Sequence, residues 1–390
     1  MTDTPHGPPS TSRERAAVLW VYASGIAAGI SVGRFIAVEA QVGASFHMSS
    51  TQTALLLSAV TAVAAALALP VAVRVKGADL GRTLRRGLLI LLVAGLVQAL
   101  APTSAVIFPA RVVEGTGYLL VTVTGPMLLS AACTPAVERW GLALWSTFIP
   151  VGIAAAAALG SIADVTGWRL TAGLTVLPSA VAFIGVRTRL TGIDAPGERP
   201  RSVSWSAGAF RLSLAFCLVA LLGVSVLSLL PRLAADRGIS PGTSGLTATV
   251  VSLASVPGGL LAGRLMSIGW RPQRLVLAAL AIPCAAACAF IATWWWSVSA
   301  GAALLLVDNG LILAVMYASV PLVVRSPRAL AFGYGLLIQT GSLGTLLGPP
   351  SFTLLISHLG WGAAILLTTV LTLLSLASFN SAFTKRLGTA

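Results

Sequence analysis

Four ionisable residues interrupt long apolar runs of the chain: Arg34 in "SVGRFIAV", Arg111 and Glu114 in "RVVEGTGYLL", and Asp308 in "LLLVDNGLIL". Arg111 and Glu114 are three positions apart, so on a helix they share a face and can pair. Arg34 has no acid at i+3 or i+4, and Glu39, five positions on, is displaced around a helix. Asp308 has no local cation. An ion at mid-bilayer depth costs about 2.5–3.5 kcal/mol on insertion scales, so such residues face a cavity or one another. Guanidinium groups attract anions, and a carboxyl in apolar surroundings can bind and release a proton. With all four ionised the charges sum to zero. Protonating one carboxyl leaves a positive cavity, which links anion binding to a proton. The expected roles are therefore substrate binding for Arg34 and Arg111 and proton coupling for Asp308 and Glu114, with Glu114 also tuning Arg111. The structural alternatives are a self-neutralising Arg111–Glu114 pair and an Asp308 hydrogen-bonded to backbone or to Asn309. Binding pockets set a few polar groups among apolar and aromatic walls, which adds Trp145, Asn309 and Gln339 as substrate-binding candidates, with Tyr118, Tyr317 and Tyr334 behind them.

The elements that must hold these residues are membrane helices. Of 390 residues, 56% are hydrophobic and 9% charged, and apolar runs of about 20 residues, long enough to cross the hydrocarbon, recur. Twelve spans are expected, at 16–38, 51–73, 87–103, 105–131, 140–163, 168–187, 210–231, 243–265, 274–293, 298–324, 329–357 and 360–382. The net charge of +14 sits in short loops between them, a topology signal and not a nucleic-acid surface. The richest loops alternate with poor ones and place both termini in the cytoplasm of a cell-membrane protein. "WWW" at 294–296 then anchors the outer interface. The polar segment 188–209 reads as a cytoplasmic linker. It separates a six-helix bundle at 16–187 from a second at 210–382, with tails at 1–15 and 383–390.

No phosphate loop, catalytic triad or metal-ligand spacing appears, and His6, His47 and His358 are far apart. An enzyme, a cofactor and a metal site are not expected. The four cysteines read as packing residues, and the lipid bilayer and a small molecule are the expected partners of a monomer.

The two halves repeat at a near-constant offset. Thr51 falls on Thr243, Gly77 on Gly269, "TGW" (166–168) on "LGW" (359–361) and Pro126 on Pro321. Two loop segments, "VRVKGADLGRTLRR" (73–86) and "GLLAGRLMSIGWRPQR" (259–274), carry Asp79, Gly81 and Arg82 in one copy and Gly259, Gly263 and Arg264 in the other. "RVVEG" (111–115) places Glu114 where an Arg-x-x-Gln-Gly signature has Gln. "PVGIAAAAALGSIADVTGWR" (150–169) keeps Gly152, Gly160, Trp168 and Arg169 of a fifth-helix signature but lacks its Gly-Pro pair, and "GSLGTLLGPP" (341–350) is a fuller small-residue run. On these segments the chain resembles the major facilitator superfamily over essentially its whole length. The resemblance implies an all-α integral membrane fold of twelve transmembrane helices in two six-helix pseudo-repeats, working by alternating access. It also implies a cytoplasmic gating role for Asp79, Arg82, Gly259, Gly263 and Arg264. The expected function is secondary transport of a small organic anion or polar solute, with protons as candidate coupling ion. The alternatives are proton-driven multidrug efflux, which the missing Gly-Pro pair disfavours, and a non-transporting receptor or scaffold.

Overall fold

The computed structural model describes residues 11–36, 38–75, 79–160, 162–190, 192–193, 206–238, 247, 249–324 and 329–383. The expected tails at 1–15 and 383–390 and the linker at 188–209 lie largely outside these residues, as do Lys76, Gly77, Arg325 and Arg328.

Among the described residues ten helices are long and apolar enough to cross a bilayer. They are α1 (Ser12–Gly33), α2 (Leu55–Val75), α4 (Ser104–Ala132), α6 (Trp168–Arg189), α7 (Ala207–Leu230), α8 (Thr249–Ser267), α9 (Pro272–Ile291), α10 (Trp295–Val323), α11 (Leu330–Leu359) and α12 (Trp361–Phe383). The bent pair Pro135–Trp145 and Phe148–Gly160 makes an eleventh span, α5, with a 41° break at Ser146 and Thr147. Leu80–Ala99 is the twelfth, α3, with its charges confined to Arg82, Arg85 and Arg86 in the first two turns. Helices satisfy their own backbone groups, which is why apolar runs of this length take no other form in lipid.

The expected third span, 87–103, starts too late. The Asp79 side chain accepts from the Arg82 N–H at 2.8 Å and caps the helix there, so three arginines assigned to a loop ride on its first turns. At the other end of this helix Arg169 donates to the Ala99 carbonyl at 3.3 Å and to the Ala101 carbonyl at 2.7 Å, pairing buried acceptors that the helix leaves free.

Hydrophobicity gives little association force between helices in lipid, so close packing needs small residues. Gly29 of α1 and Gly152 of α5 abut so closely that a methyl on either would strike the other helix's backbone. Gly344 and Gly348 of α11 meet the Cys217 and Leu221 carbonyls of α7 in the same way. The small-residue runs of α5 and α11 are thus packing surfaces within each half. The seam between halves uses different glycines: Gly335 of α11 lies against Leu69 and Ala72 of α2, and Gly259 and Gly263 of α8 lie against Thr147 and Ala143 of α5. These contacts fall toward the end of the bundle where α1 begins and α12 ends.

Which side of the membrane that end faces is tested by cysteine labelling. Ser104→Cys and Ser297→Cys, at the starts of α4 and α10, are expected to react with an impermeant maleimide from outside intact cells. Ser202→Cys, outside the described residues, is expected to react only after permeabilisation. The reverse pattern would invert the topology. Native Cys133 interferes little, because burial, and then Glu14 and Glu138, push its thiol up to about 12.

Candidate functional site

Arg34, Glu114 and Arg111 form one cluster in the first half, each 2% exposed or less. Arg34 Nη1 donates to Glu114 Oε1, and Arg34 Nε donates to Thr175 Oγ1 of α6 at 2.8 Å. Arg111 Nη1 donates to Glu114 Oε2 at 2.6 Å and to the Ser31 carbonyl at 2.7 Å. Arg111 Nε donates to the Leu56 carbonyl of α2 at 3.2 Å. Gln98 of α3 donates to Glu114 Oε2 at 2.9 Å. Five of the six helices in this half therefore meet at one carboxylate and two guanidinium groups.

The charge count explains the arrangement. Glu114 neutralises one arginine. Ser31 belongs to the last turn of α1, where carbonyls lack intrahelical partners and carry the negative end of the helix dipole. Arg111 caps that end, so the second cation meets a partial negative charge. Gly95 of α3 leaves the space that the Arg34 guanidinium fills. Phe35 lies under Arg111, 5.2 Å from its Cζ to the ring centroid, and packs with Val38, Val42 and Trp168 as an apolar cap over the cluster.

Arg34 and Arg111 were expected to face a cavity and bind substrate. In this structure both are buried and bonded to Glu114, Thr175 and backbone carbonyls, pairings only partly legible in the sequence. The cause is spatial: the partner of Arg34 is 80 positions away in sequence, and the α1 carbonyls that hold Arg111 carry no sequence signature. The pair at 111 and 114 was legible from spacing; Gln98, a lone amide in "GLVQALA", and Thr175 were missed.

Asp308 stands apart. It is 7% exposed, midway along α10, and its Oδ2 is buried with no hydrogen-bond partner. At the 195-position spacing that relates Pro126 to Pro321, Asp308 falls on Val113 and not on Glu114. Val113 is 52% exposed whereas Glu114 is buried. The two acids therefore stand one position apart around their helices, and both are buried. Asn309, expected to touch substrate, donates from Nδ2 to the Val219 carbonyl of α7 at 2.8 Å and fills the space beside Gly223. It joins two helices of the second half.

Below Asp308, α10 is buried almost continuously to Val320. Trp145 is fully buried there, in a slot made by Gly25 of α1 and Gly125 of α4. Its indole N–H has no acceptor in hydrogen-bond geometry, with Tyr317 of α10 its hydroxyl neighbour. Tyr317 packs edge-on against Phe216 of α7 at 5.1 Å, and Tyr22 of α1 shares a hydrogen bond with Thr147 of α5 at 2.8 Å. Trp145 of α5 and Tyr317 of α10 thus bring aromatic side chains of the two halves together.

Comparison with known proteins decides the family. The Major Facilitator Superfamily family model matches residues 19–324 and 212–386. The chain belongs to the Major Facilitator Superfamily. This superfamily is one of transporters, and the twelve-helix fold in two six-helix halves follows. Two solved structures share that fold. The crystal structure of the human organic anion transporter MFSD10 (TETRAN) has a TM-score of 0.78 and 14% identity, covering 96% of this chain and 100% of that one. The proton:xylose symporter XylE bound to 6-bromo-6-deoxy-D-glucose has a TM-score of 0.77 and 13% identity, covering 96% of each chain. At these identities the likeness carries the fold alone. A search of curated proteins finds no significant match.

The remaining expected residues of this superfamily transporter sit at its seam and loops. Asp79 caps α3 and makes a 3.7 Å ion pair with Arg82, while Gly81 packs on the Leu190 carbonyl at the end of α6. These contacts are local to the first half. Gly259 and Gly263 lie inside α8, within the expected span 243–265, where their missing side chains admit α5. Arg264 is exposed, with no ion pair among the described residues. Gln339, a substrate candidate, is half-buried and bonded to α2 across the seam.

Proposed function

We propose that this chain is a proton-coupled secondary transporter working by alternating access, with Asp308 as the proton-binding acid and a small amphipathic solute, neutral or cationic, as cargo. The observation that carries this reading is the buried, unpartnered Asp308 oxygen midway along α10, in a bundle that also brings Trp145 and Tyr317 of the two halves together. A buried carboxylate without a hydrogen bond is costly unless it takes up a proton or a cation, and the two can exchange at one oxygen. Aromatic faces add attraction for a cation. The organic-anion reading drew on Arg34 and Arg111, whose donors are now occupied by Glu114, Thr175 and backbone carbonyls. The likeness to an organic anion transporter is one of fold and does not restore it. No observation favours a scaffold, which gains nothing from an intramembrane acid. The protein is proposed to act as a monomer in the cell membrane with both termini cytoplasmic.

Thermal unfolding in detergent tests the cargo class, with ethidium as cationic probe and benzoate as anionic probe. A ligand at 100 times its Kd stabilises by about 2.7 kcal/mol. Ethidium is expected to raise Tm, more at pH 8 than at pH 5.5, because protons compete at low pH, and Asp308→Asn should remove the pH dependence. Stabilisation by benzoate alone would return the anion to first place.

A further inference from the structure

We propose that Gln339 is a gating latch that closes the seam between halves by bonding to helix backbone exposed by a proline. Pro70 lies inside α2. It has no N–H, so the Ala66 carbonyl four residues before it loses its helical partner, and its ring strains the turn. The Gln339 side chain of α11 meets this break. Its Oε1 accepts from the Leu69 N–H at 3.0 Å, and its Nε2 lies 3.5 Å from the Ala66 carbonyl. One side-chain amide thus offers an acceptor to a backbone donor and a donor to a backbone acceptor, as a peptide unit would. Gly335, one turn earlier on α11, lets the two helices approach closely enough for this reach. Tyr334, on another face of α11, shares a cross-half hydrogen bond with Ser130 of α4 at 3.0 Å.

The opposite seam is built differently. There Gly263 meets the Ala143 methyl and Gly259 meets the Thr147 methyl, contacts of shape and not of hydrogen bonding. Such a surface can separate without leaving a polar group unpaired. At the α2–α11 seam, separation leaves the Ala66 carbonyl and the Gln339 amide to water. The latch therefore biases the protein toward closure at the end that carries the termini, and it releases when water enters from that end. Pro70 is what gives the latch a partner; an alanine there would let α2 satisfy itself.

The inference rests on alternating access, so the test separates the two. Ala143→Cys serves as reporter in a chain whose native cysteines are replaced. Ala143 is 1% exposed at the α5–α8 seam, away from Gln339, and reacts with a maleimide only when the halves part. Labelling rates of purified protein are compared for the reporter alone, with Gln339→Ala, with Pro70→Ala, and with both. One net hydrogen bond corresponds to a change of roughly 2- to 10-fold. Gln339→Ala is expected to speed labelling by that factor in the parent background and to change it less than about 2-fold beside Pro70→Ala. Gln339→Asn, which keeps the amide but falls short of α2, should behave as Gln339→Ala and guards against a simple loss of fold. Unchanged labelling in Gln339→Ala, or equal acceleration in both backgrounds, overturns the latch alone. A reporter that labels in none of these proteins overturns alternating access and the latch with it.

Discussion

Glu114→Gln is expected to be the most destabilising single change in the first half, with most of the folded, monodisperse protein lost on purification. Glu114 is the one carboxylate facing both Arg34 and Arg111 among the described residues. Removing one partner of a buried pair typically costs about 3–5 kcal/mol, because the other charge stays buried and unpaired. Arg34→Met is expected to be milder. It leaves Glu114 Oε2 with Arg111 at 2.6 Å and Gln98 at 2.9 Å, while Glu114 Oε1 and the Thr175 hydroxyl each lose one donor. Combining Arg34→Met with Glu114→Leu should recover part of the loss, since Arg111 keeps its carbonyl acceptors on α1 and α2. Thermal unfolding and size-exclusion profiles of the three variants check the order. If Glu114→Gln were as stable as the parent, the cluster would not be the tie that its geometry describes.

Some of this was legible in the sequence for physical reasons. Apolar runs of span length have few alternatives in lipid, so the helices could be counted, and the "PTS" break between α3 and α4 held as a real turn. Spacing also gave the Arg111–Glu114 contact, because i,i+3 geometry is local. Long-range pairing was not legible. Nothing near Arg34 in sequence points to Glu114 or Thr175, and a carbonyl at a helix end looks like any other residue. Hydropathy placed the start of α3 late because it counts Arg82, Arg85 and Arg86 as loop, whereas the Asp79 cap sets the helix start. Asn309 and Gln339 read as ligand groups because each is a lone amide in an apolar helix. The structure gives each a backbone partner on a neighbouring helix, a use that residue type alone does not reveal.

Asp308→Asn carries the second large expected effect, on transport and not on folding. Asparagine keeps the volume and can donate a hydrogen bond, as the protonated acid does, so the Oδ2 position loses its charge without leaving a cavity. The variant should purify like the parent. It should exchange solute down the solute's own gradient, with weaker affinity for a cation. Accumulation driven by a pH gradient should fall to the level of empty vesicles, because no group remains at this depth of α10 to take up and release the proton. The same substitution at Glu114 gives the opposite profile, loss of fold before loss of coupling. This contrast distinguishes an acid that works from an acid that holds the bundle together.

Proton movement in proteoliposomes tests the central claim most directly. Parent and Asp308→Asn proteins are reconstituted with a trapped pH dye, and ethidium is added outside as the solute. The parent is expected to move protons against the entering cation, at a rate that saturates with ethidium, while Asp308→Asn admits the cation with no proton signal. Equal proton movement in the two proteins would contradict the assignment of Asp308 and with it the proposed coupling.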